Sequence, residues 1–163
     1  MKNVVLIGAS GFVGSAILNE ALNRGHRVTA VVLNPGKISV RHPNLTVVGA
    51  DATDPDTLAN LAKGRDAVIS AYNPGWANPR QYEETLENYP KIVEGAKRSG
   101  VKRLLIVGGA GTLFVKPGVR LVPVEQTAHP SVRPPERGPC GTHNGGWHNT
   151  ELAGVSAHRL VIK

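Results

Sequence analysis

Val4-Val5-Leu6-Ile7-Gly8-Ala9-Ser10-Gly11-Phe12-Val13-Gly14 joins a short apolar run to a segment, residues 12–24, whose apolar positions recur at helical spacing. The glycines therefore sit at a strand-to-helix turn. Glycines at this spacing do separate physical work: a tight turn with unrestricted φ at Gly8, close approach of a pyrophosphate to bare backbone at Gly11, and close helix-to-strand packing at Gly14. The amides of Gly11 to Val13 are then expected to face phosphates from the positive end of a helix. The first gap is one residue wider than in G-x-G-x-x-G. A glycine-rich turn that binds nothing is the alternative, and the strand before and helix after weigh against it.

Outward from this turn the pattern alternates. Gly25 stops the first helix, with Arg24 and His26 near the negative end of its dipole and His26 read as a surface residue. Arg27 to Leu33 is a β-branched run expected as a buried parallel strand, closed by the turn Asn34-Pro35-Gly36. At the end of that strand a dinucleotide domain selects its cofactor: an acid accepts from the ribose 2′-OH of NAD, and a base holds the 2′-phosphate of NADP. Here Asn34 neither repels a phosphate nor pairs with one. Lys37 and Arg41 are close enough in sequence to supply positive charge, or to form an ordinary solvated basic loop; the residues alone leave both open. Leu45 to Gly49 is a third strand, after which Asp51 is a candidate for the adenine end of the cofactor. Asp54-Pro55-Asp56 carries matched start signals for a second helix, so Asp54 is assigned to capping and Asp51 to the site. Leu58, Leu61 and Ala62 form its buried face, and Gly64 ends it.

Asp66 to Ser70 is a fourth strand, and Ala71-Tyr72-Asn73-Pro74-Gly75 leaves its carboxyl end, where open parallel sheets form their ligand crevice. A third helix, about 81–99, places Tyr82, Leu86, Tyr89, Val93 and Ala96 on one stripe, with a kink or restart expected at Pro90. Lys102 to Val107 is a fifth strand running into Gly108-Gly109-Ala110-Gly111-Thr112. So many small residues leave room for a flat ring or make a flexible turn, and Thr112 orients a substrate or stabilises that turn. The alternation predicts an α/β fold, a Rossmann-like doubly wound parallel sheet of order 3-2-1-4-5, with its crevice between strands one and four.

Composition narrows the function. A chain of 163 residues holds one domain with a real core. The formal charge of +7 is scattered as singles and pairs, and aromatics are 4%, so neither a nucleic-acid groove nor a stacking platform is expected. The charge reads as solubility plus attraction for anionic cofactors. Cys140 is the single cysteine, which excludes an internal disulfide, and with no leader or membrane-length apolar run a cytoplasmic protein is expected. Beyond about Val122 the periodicity fails: residues 123–163 hold five of the twelve prolines and four of the six histidines. This proline-, histidine- and glycine-rich tail is expected to be mostly irregular, with an edge strand around 158–162. Cys140, His143 and His148 match no standard zinc spacing, so no metal is expected.

The pieces VVLIGASGFVGSAIL, HPNLTVVGADATDPDTL, DAVISAYNPG and GVKRLLIVGGAGTL, in that order, resemble the NAD(P)H-binding, NmrA-like group of atypical short-chain dehydrogenases, in its NADH-flavin reductase-like branch. The resemblance covers residues 1–122, taken as the NAD(P)-binding domain. It implies a pyrophosphate loop of Gly8, Ser10, Gly11, Phe12, Val13 and Gly14, adenine contacts at Asp51 and Ala52, and a wall beside the nicotinamide ribose at Ala71, Tyr72 and Asn73. Asn34 and Lys37 complete the candidate cofactor set, for NADP or NAD. Members often carry Arg where Leu33 stands, which removes a guanidinium for the 2′-phosphate. The tail resembles none of the group's continuation, so a truncated or altered C terminus is expected, and the apolar surface it would expose favours a homo-oligomer.

The Tyr-x-x-x-Lys pair of short-chain dehydrogenases is absent: Trp76, Leu86 and Val93 follow Tyr72, Tyr82 and Tyr89 four residues on. That argues against ordinary alcohol dehydrogenation. The expectation is an NAD(P)H-dependent reductase of a flavin-like or quinone-like small-molecule acceptor, whose proton can come from water. The rival is a non-catalytic NAD(P)-sensing regulator. No catalytic residue is assigned.

Overall fold

A computed structural model describes residues 1–108 with their side chains and, beyond them, the backbone of short strands within 114–161. Strand β1 (Asn3–Ile7) leads into helix α1 (Phe12–Asn23), β2 (Arg27–Val32), a single 3-10 turn (Pro35–Lys37) and β3 (Leu45–Gly49). Helix α2 (Pro55–Ala62), β4 (Ala67–Ser70), α3 (Gln81–Arg98) and β5 (Arg103–Val107) follow. The five strands are parallel neighbours in the order β3-β2-β1-β4-β5, the predicted doubly wound arrangement.

Alternation along β1 explains the layering. Val5 and Ile7 point to one face, where Leu58 and Ala62 of α2 and Ile92 and Ala96 of α3 close a core with Val68, Leu104 and Ile106. Leu6 points to the other, where Leu18, Ala21 and Leu22 of α1 close a second core with Val28, Ala30 and Val32. Both faces being covered is what forces β1 and β2 to read as unbroken apolar runs. Removing a side chain such as Leu58, fully buried between sheet and helices, costs about 2–5 kcal/mol.

Helix α2 starts as its sequence dictates: Asp54 accepts from the Asp56 and Thr57 amides, with Pro55 in the first turn. Helix α3 is continuous through Pro90, so of the kink or restart expected there the restart does not occur; the exposed proline leaves the Leu86 carbonyl without its intrahelical donor. Its buried residues are Ile92, Gly95 and Ala96, with Tyr89 and Val93 packed against them, while Leu86 is exposed. Tyr89, Val93 and Ala96 of the expected stripe thus face the core, which Ile92 and Gly95 widen. A Cβ on Gly95 would lie 2.9 Å from both Leu58 Cβ and the Pro55 carbonyl oxygen, so α2 and α3 touch through a glycine.

Short strands β6 (Phe114–Lys116) and β7 (Val119–Arg120) pair with each other. Strand β9 (Val155–Val161), overlapping the apolar piece at 158–162, runs antiparallel to β5, and β8 (Trp147–Leu152) pairs with β9. These two strands fall in the stretch read as lacking periodicity. Cys140 and His143 lie outside the described residues, and His148 is described only as backbone of β8. Among the described residues no cluster of metal-ligating side chains occurs, and no helix is long and apolar enough to cross a membrane.

Candidate cofactor site

The sheet reverses its winding between β1 and β4, and the loops leaving those strands touch. Gly8 has φ +76°, and a Cβ on it would stand 2.6 Å from the Ala71 carbonyl oxygen. The Ala71 amide donates to Ile7 O at 3.0 Å and the Gly8 amide to Val31 O at 3.2 Å, so the turn is tied to β1, β2 and β4 together. Gly14 is required for a different reason. A Cβ there would come within 2.0 Å of Gly8 O, so α1 reaches the turn only because residue 14 has no side chain.

Gly11 is the exception, and it is informative. Its φ of −82° suits any residue, and its Cβ would meet nothing closer than Gly8 O at 3.4 Å. No close contact within the fold excludes a side chain at 11, where glycine serves as the N-cap of α1. One expectation is corrected here: the Gly11 amide donates to Gly8 O at 3.0 Å and closes the turn instead of facing a ligand. Because the Ser15 amide makes the first helical bond, to Gly11 O at 2.9 Å, the amides of Phe12, Val13 and Gly14 have no intrahelical partner. No side chain caps the helix and its first turn holds no acid, so the positive end of α1 stands uncompensated, a suitable seat for a pyrophosphate. Ser10, Gly11 and Phe12 are exposed around it, with Phe12 93% exposed.

At the end of β2, Leu33 is exposed and Asn34 accepts the Gly36 amide at 3.0 Å, capping the 3-10 turn. Lys37, at the end of that turn, is exposed and makes no ion pair among the described residues. After β3, Asp51 Oδ1 accepts from the Thr53 amide at 2.8 Å and from Thr53 Oγ1 at 2.7 Å, which orders the turn that buries Ala52. Its other carboxylate oxygen carries the polar capacity left for a ligand.

After β4, Asn73 accepts from the Gly75 amide at 2.7 Å and from Gln81 Nε2 at 3.3 Å, fixing the loop against the start of α3. Tyr72 is half-buried and packs edge-on against Tyr89, ring centres 6.0 Å apart. Asn88 Nδ2 donates to Tyr72 Oη at 2.7 Å. Tyr89 Oη lies 3.3 Å from both the Tyr72 and Val107 carbonyl oxygens, linking the carboxyl ends of β4 and β5. Burial pushes the Tyr72 phenol above its ordinary range; the Asn88 hydrogen bond opposes that, while the Glu84 and Asp51 carboxylates add to it. Asn88 and Tyr89 escaped the sequence reading as site residues; they lie 16 and 17 positions from Tyr72, and no local spacing announces such a contact. The loop after β5, with Gly109, Ala110, Gly111 and Thr112, lies outside the described residues.

Comparison with known proteins agrees with this fold. YwnB of Bacillus subtilis, an uncharacterized protein, is 38% identical over 110 residues, 68% of this chain and 48% of that protein. A solved candidate epimerase from Bacteroides thetaiotaomicron is 54% identical with TM-score 0.65, the match covering 75% of this chain and 56% of the other. A solved candidate NADH-flavin reductase from Streptococcus pneumoniae is 33% identical with TM-score 0.56, covering 77% and 59%. The chain thus spans about half the length of YwnB and somewhat more of the two solved chains. The family model described as NAD(P)H-binding matches residues 8–132, beginning at the first glycine of the loop. The chain belongs to this NAD(P)H-binding family.

Proposed function

We propose that this protein is an NAD(P)H-dependent reductase of a flat, flavin-like or quinone-like acceptor, with residues 1–122 as its cofactor-binding domain and 123–163 as a tail. The observation that carries the cofactor half is the open space over Gly11: no close contact within the fold fills it, and it adjoins the unpartnered amides of α1. In this reading Ser10, Gly11, Phe12, Val13 and Gly14 hold the pyrophosphate. Asp51 and Ala52 take the adenine end, Asn34 and Lys37 lie toward its ribose, and Ala71, Tyr72 and Asn73 wall the nicotinamide ribose. Bound, the reduced nicotinamide supplies a hydride. The acceptor class is favoured by the absence of a Tyr-x-x-x-Lys pair and by the likeness to the Streptococcus pneumoniae protein. The chain's own contribution is then orientation of the partners at the crevice. A cytoplasmic site of action goes with this reading, and cell fractionation checks it.

The test follows NADPH and NADH absorbance with free FMN or a water-soluble benzoquinone, alongside cofactor-induced thermal stabilisation. Oxidation with stabilisation is expected. Stabilisation without oxidation would refute the reductase and identify a sensor of the cofactor; the absence of both would refute cofactor binding as well.

A further inference from the structure

Exposed basic residues gather along one edge of the sheet. Because β1 to β5 are all parallel, their amino ends share an edge, opposite the one that carries the glycine turn and the loop after β4. Arg27 is the first residue of β2 and Arg103 the first of β5, with Lys102 just before it, and Arg65 lies two residues ahead of β4. Arg41 precedes the turn that starts β3, closed by the Leu45 amide donating to His42 O at 3.0 Å. All five are exposed, and none makes an ion pair or a side-chain hydrogen bond among the described residues. Nearby acids are already engaged: Asp66 holds Lys2 at 3.6 Å, Glu20 holds Arg24 at 2.6 Å, and Glu94 and Asp56 hold Arg98 at 2.9 Å and 2.8 Å. Asp51, Asp54, Glu83, Glu84 and Glu87 follow β3 or lie in the first two turns of α3.

Two ordinary uses of such charge leave this row unexplained. Lys97 and Arg98 in the last turn of α3 offset its dipole, but a strand has little dipole to offset. Attraction for a pyrophosphate needs charge at the other edge. Strand β1, five residues long, sets the row about 16 Å from the glycine turn, well beyond the roughly 8 Å screening length of physiological salt. We propose that the amino edge is a docking surface for an acidic segment of another protein, lying extended across the strands with its carboxylates on Arg41, Arg27, Arg65 and Arg103. This is independent of the reductase reading. The row fits such a partner in length and in chemistry. Its strands stand about 4.8 Å apart, so β3 to β5 spans about 19 Å, the reach of about six extended residues. A guanidinium presents a planar fork that a carboxylate matches with two hydrogen bonds. Phe12, Tyr72, Trp76, Tyr82 and Tyr89 all lie after β1 or β4 or on α3, so among the described residues the edge offers no ring on which a nucleobase stacks.

The experiment titrates the full chain into a fluorescein-labelled decaglutamate peptide and follows anisotropy at low salt. Saturable binding that weakens as salt rises is expected. Arg27→Gln/Arg65→Gln/Arg103→Gln should weaken it roughly 25-fold, about threefold for each exposed pair lost. Lys37→Gln/Arg80→Gln/Lys91→Gln removes equal charge away from the row and should cost less than about threefold. In the wild-type protein, added peptide should slow amide exchange at the starts of β2, β4 and β5, a readout that needs no variant to fold. No peptide binding, equal losses in the two triple variants, or exchange slowed only at the carboxyl ends of the strands would overturn the proposal. So would an oligothymidylate or a phosphatidylserine vesicle that binds more tightly than the peptide and loses that affinity in the first variant, since the edge would then serve a nucleic acid or a membrane.

Discussion

Alanine placed at 11 and at 14 separates a ligand's need for glycine from the fold's need. At Gly11 the new methyl meets only Gly8 O at 3.4 Å, on a backbone whose φ of −82° suits alanine, so stability should fall by no more than about 1 kcal/mol, the cost of alanine at a helix N-cap. The same methyl occupies the space where a phosphate would lie. Losing one charge-assisted hydrogen bond there costs about 2 kcal/mol, or roughly 30-fold in Kd. At NADPH equal to 100 times the wild-type Kd, ligand stabilisation should fall from about 2.7 kcal/mol to about 0.9 kcal/mol. Gly14→Ala behaves oppositely: a Cβ 2.0 Å from Gly8 O must push the turn away from α1, costing about 3 kcal/mol and lowering Tm by roughly 6–12 °C before any ligand is added. Thermal unfolding of each variant over an NADPH titration reads both quantities. Gly11→Ala binding NADPH like wild type, or unfolding as early as Gly14→Ala, would refute the assignment of Gly11 to a ligand.

Three other perturbations test the frame around the site. Gly95→Ala sets a methyl 2.9 Å from Leu58 Cβ and Pro55 O, and overpacking of about 1–3 kcal/mol should outweigh the gain in helix propensity, seen as a lower urea midpoint. Tyr89→Phe removes the hydroxyl shared by the Tyr72 and Val107 carbonyls; a loss of about 1 kcal/mol in denaturant unfolding is expected, with faster amide exchange at the ends of β4 and β5. Asp54 is held below its ordinary value first by the Thr57 hydroxyl and, after the opposing effect of desolvation, by the Asp56 and Thr57 amides. Its folded value being the lower one, its contribution is present above the unfolded value of about 3.9 and fades as pH falls through the folded one. Asp54→Asn should keep the cap and flatten that acid limb of the Tm profile.

What could be read from the sequence was local. The apolar runs 4–7 and 28–32, the glycine turn between strand and helix, and the Asp54-Pro55-Asp56 start each carry their signal within a few residues, and the structure reproduces them. The sheet order follows because short parallel connections leave few alternatives. The misreadings arose where tertiary contact overrides spacing. Leu86 fits the periodic stripe yet is exposed, while Gly95, outside that stripe, is buried where α3 meets Leu58. A glycine inside a helix was the available sign, since it is costly there unless something packs against it. The Gly11 amide was assigned to a ligand because the turn's own bond to Gly8 O has no trace in residue types. The Tyr72, Asn88 and Tyr89 group joins a strand end to the middle of a helix, and only the packing of α3 brings it together.

The two halves of the site rest on opposite faces of the sheet. Ala9 and α1, which carry the glycine loop, belong to the core with Leu6 and Val28, whereas Tyr72 and Tyr89 pack on the core with Ile7, Ile92 and Ile106. Repacking one core therefore should not disturb the other half directly, and perturbations of cofactor affinity and of the Tyr72 oxygen can be made separately. They are joined through the turn at Gly8, whose missing Cβ leaves room for Ala71 and whose carbonyl faces Gly14. That contact makes the first glycine of the loop different in kind from the second. No close contact within the fold excludes a side chain at Gly11, while Gly8 sets how closely the loop after β4 approaches the glycine turn.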